Sequence, residues 1–345
     1  MVKVLSSHAD AQPSGENPAT LSWPSPRPTK LADALFLARL IRRHRPDCLI
    51  ANFATVNWMC LIGWLYGVRH RIAFYHTLSA PIEMDNGHLH GGGWEIRRFR
   101  KKLVYKTATA IAGISQAALN DARKSFCVPL RKCQPWRYSM PDPASSIRLR
   151  SSEEREDLII CAGRLHPSKG QDVLIRALAL GGCSLASIRV EFLGGGRLLD
   201  TLRQMAEQNG MASRCSFAGS VSHKEVLARM SRAKITVVPS RHEAFGLVNI
   251  ESMAVGTPVV ASQVDGIAET IRDGVDGWLV PPDNPNALAE KLVVTLQDGA
   301  LRKRLGQNAR QHFLERFEHA LALKKQADWL EQIVQPDSRG AFDES

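Results

Sequence analysis

The chain has 345 residues, 44% of them hydrophobic and 23% charged, with a formal net charge of +11. That length accommodates two or three domains with substantial cores, and the composition excludes a collagen, a disulfide miniprotein and a wholly disordered chain. The charge is uneven: residues 1–150 carry 22 Lys and Arg against 9 Asp and Glu, whereas residues 151–345 carry 23 against 25, so the basic half is the one expected to meet an anionic partner.

The start does not read as a signal peptide, because Lys3 is followed by the polar run Ser6-Ser7-His8-Ala9-Asp10. Residues 2–6 read as a strand and 13–28 as a loop. Residues 31–44 read as a helix with an apolar stripe of Leu31, Leu35, Ala38 and Ile41 and basic residues elsewhere. The apolar stretch 48–67 contains Asn52, Asn57 and Gly63. It divides into a strand at 47–52 and a helix at 57–66 rather than forming a membrane span. A strand follows at 71–75. Residues 139–157, with two prolines, two serine pairs and mixed charge, read as a linker.

Beyond the linker, strands at 158–161, 188–193, 215–218, 235–238, 258–261 and 278–280 alternate with helices at 170–180, 198–209, 223–232, 247–255 and 286–296. A short helix falls near 266–272. This alternation is the signature of a parallel, doubly wound α/β sheet. The run Ile235-Thr236-Val237-Val238 suits a strand covered on both faces. A last helix at 319–334 and a polar tail at 336–345 complete the chain. The expected domains are 1–150, 151–318, a helix at 319–335 returning to the first domain, and the tail.

Seven cysteines, an odd number without a C-x-x-C, read as reduced and mostly buried thiols of a cytoplasmic protein.

Chemistry concentrates at residues 237–260, VVPSRHEAFGLVNIESMAVGTPVV. A buried strand ends at Pro239, a polar turn carries Glu243, and Gly246 opens a helix. Open parallel sheets bind ligands at strand carboxyl ends, where the next helix offers unpaired N–H groups that suit a diphosphate. Gly246 lets a ligand approach the backbone. Glu243 and Glu251 lie eight residues apart, and two acceptor-only carboxylates so placed can grip hydroxyls at opposite ends of an extended ligand. Taken alone, Glu251 also fits a solvated helix face.

This segment resembles the E-x7-E region of the retaining GT-B glycosyltransferases, specifically their large family four. Residues 160–170, ICAGRLHPSKG, resemble that family's donor loop, and Phe192-Leu193-Gly194-Gly195-Gly196, Phe217-Ala218-Gly219 and Asp265-Gly266-Ile267-Ala268-Glu269 match it in order. The resemblance implies an α/β fold of two Rossmann-like doubly wound domains facing a cleft. It implies transfer of a sugar from a nucleotide-diphosphate donor to a glycan, lipid-linked or small-molecule acceptor, with retention and by departure and attack on one face. Arg164 and Lys169 would neutralise the departing diphosphate. Glu243 and the backbone of Phe245, Gly246 and Leu247 would hold the sugar and its phosphate, Glu251 would accept from the ribose, and Gly163 and Val221 would line the donor. In the first half, Ile72-Ala73-Phe74-Tyr75-His76-Thr77 resembles the strand that ends in an active-site histidine, so His76 would position donor or acceptor. Ile111-Ala112-Gly113-Ile114-Ser115 resembles the next strand and its serine cap. Two other readings stay open: a nucleotide-sugar-binding protein that needs a partner chain, and a sugar-nucleotide epimerase of the same fold.

No D-x-D occurs in the sequence, so neither a bound metal nor a cofactor is expected. His88 and His90 fit a glycine-rich loop better than a metal site. The run Arg97, Arg98, Arg100, Lys101 and Lys102 lies on a helix with Ile96, Phe99, Leu103 and Val104. It fits a solvated helix face and docking on anionic lipid at the inner membrane surface equally well. Nucleic acid is not expected, because no recognition motif accompanies the charge. The family's opening strand, glycine-rich turn and helix are not found. Residues 135–140, PWRYSM, stand where an Asn-Gly turn is common.

Overall fold

A computed structural model describes residues 4–6, 20–86, 93–136 and 138–334. His88, His90 and the tail from 336 lie outside them. In chain order the elements are β1 (Val4–Ser6), β2 (Thr20–Ser22), α1 (Leu31–His44), β3 (Cys48–Ala51), α2 (Val56–Leu65), β4 (His70–Tyr75), α3 (Ser79–Asn86), α4 (Gly93–Thr107), β5 (Ala110–Gly113), α5 (Gln116–Phe126) and β6 (Cys133–Pro135). There follow β7 (Glu156–Ala162), α6 (Gln171–Leu180), β8 (Arg189–Leu193), α7 (Leu199–Gln208), β9 (Cys215–Gly219), α8 (His223–Arg232), β10 (Ala233–Val238), α9 (Leu247–Ala254), β11 (Val259–Ser262), β12 (Gly277–Val280), α10 (Pro285–Gln297), α11 (Gly299–Arg316) and α12 (His319–Val334). No helix among the described residues is long and apolar enough to cross a membrane.

The chain divides into two compact units: Met1–Ser79, Asp85–Trp136 and Asp328–Ser345 form the first, and Ala80–Met84 with Arg137–Ala327 the second. The first holds a parallel sheet in the order β3-β4-β5-β6, while β1 and β2 pair parallel in a sheet of their own. Its buried Ile72, Ala110 and Ala112 pack with Phe74, Trp136, Trp329, Leu330 and Ile333, the last three from the end of α12. Ser115 caps α5, its hydroxyl accepting the Ala118 N–H at 2.9 Å, as its position before the helix implies.

Several local expectations are corrected. The helix at 31–44 forms, but it buries Asp33, Ala34, Leu37 and Ile41 and leaves Leu31 and Leu35 exposed. Asp33 sets this phase, because its carboxylate accepts the Lys30 N–H (2.9 Å) and the Ser25 hydroxyl (2.7 Å) and is drawn inward. Strand β2 lies within the segment read as a loop. Helices α3 and α11 were not expected; α11 buries Leu305, Gly306, Ala309, His312 and Phe313, a face with too few large apolar residues to show a period. All seven cysteines are free, but Cys60 and Cys161 are the buried ones and Cys127 and Cys183 are exposed.

The second unit is one parallel sheet in the order β12-β11-β10-β7-β8-β9. The chain enters at β7, runs outward through β8 and β9, then returns to β10 on the other side of β7. Its core joins Ile159, Val190, Phe192, Ile235, Val237 and Val260 to Leu174, Leu178, Leu288 and Leu292. Where α8, α9 and α10 end, arginines pair their last carbonyls, which a helix cannot pair within itself. Arg155 donates to Ala233 (3.0 Å) and Val255 (2.9 Å), Arg310 to Ala254 (2.6 Å) and Arg302 to Leu296 (2.9 Å).

Gly170 precedes α6 at φ +64°, and a Cβ there would strike the Pro239 carbonyl. Gly170→Ala is expected to cost about 2 kcal/mol or more, from the strained φ and the clash together, measured by chemical denaturation.

Candidate active site

The reversal of strand order between β7 and β10 sets their departing loops side by side at the carboxyl edge, where open parallel sheets take ligands. The loop after β7 is tied to the loop after β8: the Gly163 N–H donates to Leu193 (2.8 Å) and the Leu165 N–H to Gly195 (2.9 Å). Buried Gln171 donates to the Arg164 carbonyl at 3.0 Å. The turn is thereby fixed while the Arg164 side chain stays exposed. Farther along, the Ser168 carbonyl accepts the N–H groups of Arg241 (2.8 Å) and His242 (3.3 Å).

This binding of loop to loop brings the Lys169 ammonium onto the Glu243 carboxylate as an ion pair. Beside it, Arg241 donates two bonds to Asp172 (2.9 and 2.8 Å), one to Asp283 (2.6 Å) and one to the Pro167 carbonyl (2.6 Å). Burial pushes the Asp172 carboxyl up, but the bonds and charge of Arg241 outweigh it and hold the group below its ordinary value.

Gly246 opens α9 at φ +87°; the Asn249 N–H donates to the Gly246 carbonyl (3.0 Å), and the N–H groups of Leu247 and Val248, ahead of it in the first turn, fall where a helix supplies no partner of its own. The Phe245 ring is buried, edge-on to Tyr138 (5.9 Å) and Phe317 (6.2 Å). Leu247 is exposed at the start of the helix. Val221 is half-buried in the loop between β9 and α8. Inside α9, Glu251 lies 3.0 Å from Nε2 of His223. Burial holds the Glu251 carboxyl above its ordinary value, although the charge and hydrogen bond of His223 oppose the rise. Burial, and behind it the Glu251 charge, raises the Tyr138 phenol.

In the first unit, His76 follows β4 as expected. Its ring stacks on Phe53 (4.8 Å) and Phe74 (5.5 Å), and Nε2 lies 2.7 Å from Oδ1 of Asn52. A carbonyl oxygen only accepts, so Nε2 carries the proton and Nδ1 keeps a lone pair. Burial lowers the His76 pKa and favours that neutral form. The group suits accepting a hydroxyl hydrogen more than donating a proton. Its aromatic support continues from Phe74 to Trp136 (5.0 Å) and from Trp136 to Trp329 of α12 (5.0 Å).

The expected residues are therefore joined unevenly. Lys169 and Glu243 are in direct contact, and Gly246 and Glu251 share one short helix. No hydrogen bond or ion pair ties the Arg164 guanidinium among the described residues. The basic run on α4 is not one cationic face: Lys101 lies over the Tyr105 ring and reaches Asn57 (3.5 Å), and Arg98 donates to the Ser125 carbonyl (2.8 Å). Sequence reasoning missed His223, Tyr138, Asn52 and the Asp172–Arg241 pair. No spacing rule links residues that only the sheet topology brings together.

The chain matches the family described as "Glycosyl transferases group 1" over residues 146–312 and "Glycosyltransferase Family 4" over residues 2–136. It is 30% identical over 275 residues to a D-inositol 3-phosphate glycosyltransferase of Corynebacterium glutamicum, covering 73% of this chain and 65% of the relative. With the protein of that name from Jonesia denitrificans the identity is 32% over 276 residues, covering 72% and 64%. The chain thus spans just under two thirds of the length of these curated relatives. Among solved structures it resembles Anabaena Alr3699/HepE in complex with UDP (TM-score 0.73, 18% identity, 90% of this chain and 86% of that one). It also resembles the sucrose-phosphate synthase of Thermosynechococcus elongatus (TM-score 0.70, 22% identity, 88% and 77%). The fold these share with the chain is GT-B, built on two Rossmann-like domains.

Arg241→Ala leaves Asp172 without its principal partner and is expected to cost about 2–3 kcal/mol. Because the folded Asp172 pKa is depressed, the pair contributes stability above the unfolded carboxyl value and loses it as pH falls through the folded one. Denaturation curves at pH 7 and in acid should show the variant's deficit shrinking as pH falls.

Proposed function

The chain belongs to glycosyltransferase family four, and from that premise we propose that it transfers a sugar from a nucleotide-diphosphate donor to an anionic acceptor, with retention at the anomeric carbon. The observation that carries this reading is the Lys169–Glu243 pair, set at the strand reversal beside the helix that Gly246 opens.

As the glycosidic bond to the donor phosphate breaks, negative charge grows on the leaving diphosphate. Lys169 and Arg164 are the cations placed to meet it, and the first turn of α9 adds N–H donors and the positive end of its dipole. A diphosphate competes with Glu243 for the Lys169 ammonium and frees that carboxylate to accept from hydroxyls of the transferred sugar. Glu251 receives the ribose hydroxyls, with Gly163 and Val221 along the donor. His76, through the Nδ1 lone pair, accepts from a substrate hydroxyl and orients it. With no D-x-D in the sequence, this reading asks for no metal ion and no cofactor. It assigns no carboxylate as a covalent nucleophile, so departure and attack share one face. The relatives named for D-inositol 3-phosphate and the cations of residues 1–150 favour a phosphorylated acceptor, free or on a lipid headgroup.

The membrane part of the reading rests on α4. Ile96, Phe99 and Leu103 recur at helical spacing and are 63%, 62% and 43% exposed, and Arg97, Arg100 and Lys102 are carried on the same helix. Replacing those three cations with Gln is expected to weaken binding to phosphatidylglycerol vesicles about a hundredfold, at about 1 kcal/mol per cation. Unchanged binding removes the membrane from the reading.

The activity is tested with UDP-, GDP- and ADP-sugars and inositol phosphate acceptors. Lys169→Ala and Glu243→Ala should each lower turnover by about 10²–10³ while the unfolding transition stays in place. Turnover at the native level in both variants overturns the proposal. Tight donor binding with no turnover by the native chain identifies a binding protein instead.

A further inference from the structure

Glu251 is the single acid of α9, and its side chain is 15% exposed, whereas that of His223 is 60% exposed. Imidazole and carboxyl therefore meet at the boundary between protein and water, with the carboxyl on the inner side. The imidazole is held in place from its own backbone. His223 is the first residue of α8, and the preceding Ser222 caps that helix by accepting the Glu225 N–H at 3.2 Å. From there Nε2 reaches Glu251 Oε1 at 3.0 Å.

The other ionisable groups around α9 do not serve that carboxylate as cations. Tyr138, ahead of β7, faces it as a phenol. On α11, Arg310 reaches the Ala254 carbonyl at the opposite end of the helix, and His312 is bound to Asp276 (2.9 Å). Lys234, the ionisable residue of β10, pairs with Asp157 (2.5 Å), and β11 carries no ionisable side chain. Without its imidazole neighbour, Glu251 would be a carboxyl sheltered from water, and such groups resist ionising.

We propose that His223 is a positioning residue for the donor: through its hydrogen bond it favours the ionised form of Glu251 and turns it to receive the ribose hydroxyls, so that nucleotide affinity depends on pH. This rests on the reading above that Glu251 meets the ribose. Only the ionised carboxylate offers acceptor sites at both oxygens. One oxygen is engaged by His223, which leaves the other for the ligand. The direction of the pH effect follows. Burial raises the carboxyl and His223 opposes that rise. Removing the imidazole must therefore move the loss of binding in acid to higher pH, and the deficit must grow as pH falls.

The test is calorimetric titration of the full chain with UDP, GDP and ADP between pH 5.5 and 8, continued with whichever binds most tightly. His223→Ala should lie within about threefold of the native protein at pH 8 and about tenfold weaker at pH 5.5, the scale of one charge-assisted hydrogen bond. His223→Gln restores a donor without the charge. It should match the native protein at pH 8 yet keep the displaced acid limb, which a purely structural role would not produce. Glu251→Ala should bind weakly at every pH. If Glu251→Ala loses affinity while His223→Ala follows the native curve throughout, the inference about His223 is wrong and the donor reading stands. If Glu251→Ala binds as the native chain does, or no nucleotide binds the native chain, the ribose role of Glu251 falls and this inference falls with it.

Discussion

The second unit's ability to present charged groups to a ligand depends on the contact between the loops that leave β7 and β10. The two strands pair in the sheet, although β8, β9 and three helices intervene in the chain. What locks the loops is mostly backbone. The Ser168 carbonyl takes two N–H groups from the other loop, and Gly170 lies so near the Pro239 carbonyl that no side chain fits between them. Lys169 sits between Ser168 and Gly170, and Glu243 follows two residues after Arg241, which is itself anchored to Asp172 and Pro167. Neither end of the ion pair can move far without breaking these contacts. Such a pair is organised before any ligand arrives, which is the condition under which charge stabilises a transition state efficiently.

This local arrangement explains how a half of the chain with slightly more acidic than basic residues can serve an anionic ligand. Most of its arginines are committed. Arg155, Arg302 and Arg310 pair helix-end carbonyls, Arg232 is held by Glu156 (2.9 and 3.0 Å), and Arg229 lies between Glu191 (3.2 Å) and Glu225 (2.7 Å). Arg241 is saturated by Asp172 and Asp283. At the carboxyl edge of β7 and β10 stand Arg164, whose guanidinium no hydrogen bond or ion pair ties among the described residues, and Lys169, paired with Glu243, both on the loop that the topology aims there. Net charge therefore describes each half's surface, whereas the site is set by which cations the topology brings to this edge.

The same distinction decides what was legible in the sequence. The parallel sheet of the second unit was readable because buried strands such as β10 are continuous apolar runs and their helices are strongly periodic. Helix α11 was not, because small residues and a histidine occupy its inner face. In α1 the limits were right and the facing side wrong, since a buried aspartate, held by Ser25 and the Lys30 N–H, outweighed the leucines. Glu243, Gly246 and Glu251 stood out as a motif, because local spacing around one loop and one helix carries them, whereas Lys169 stood out only through the resemblance of its loop to the family's donor loop. Their partners did not. Nothing in the sequence joins His223 to Glu251 or Asn52 to His76, since the first pair is made between helices α8 and α9 and the second at the ends of the paired strands β3 and β4, not by neighbours in the chain.

The partners also distinguish the two glutamates, which otherwise share one loop and one helix. Glu243 faces an ammonium, whereas Glu251 faces an imidazole, a group that can hold the contact as a neutral donor as well as a cation. The Lys169–Glu243 contact is one that a bound anion can take over, because the lysine is itself a phosphate-binding group. The His223–Glu251 contact has a different character, because an imidazole that gives up its proton can still donate from Nε2 and the carboxylate keeps its orientation. One glutamate thus has a partner for which an anion can compete, while the other has a partner that can keep its hydrogen bond with or without the imidazole's charge.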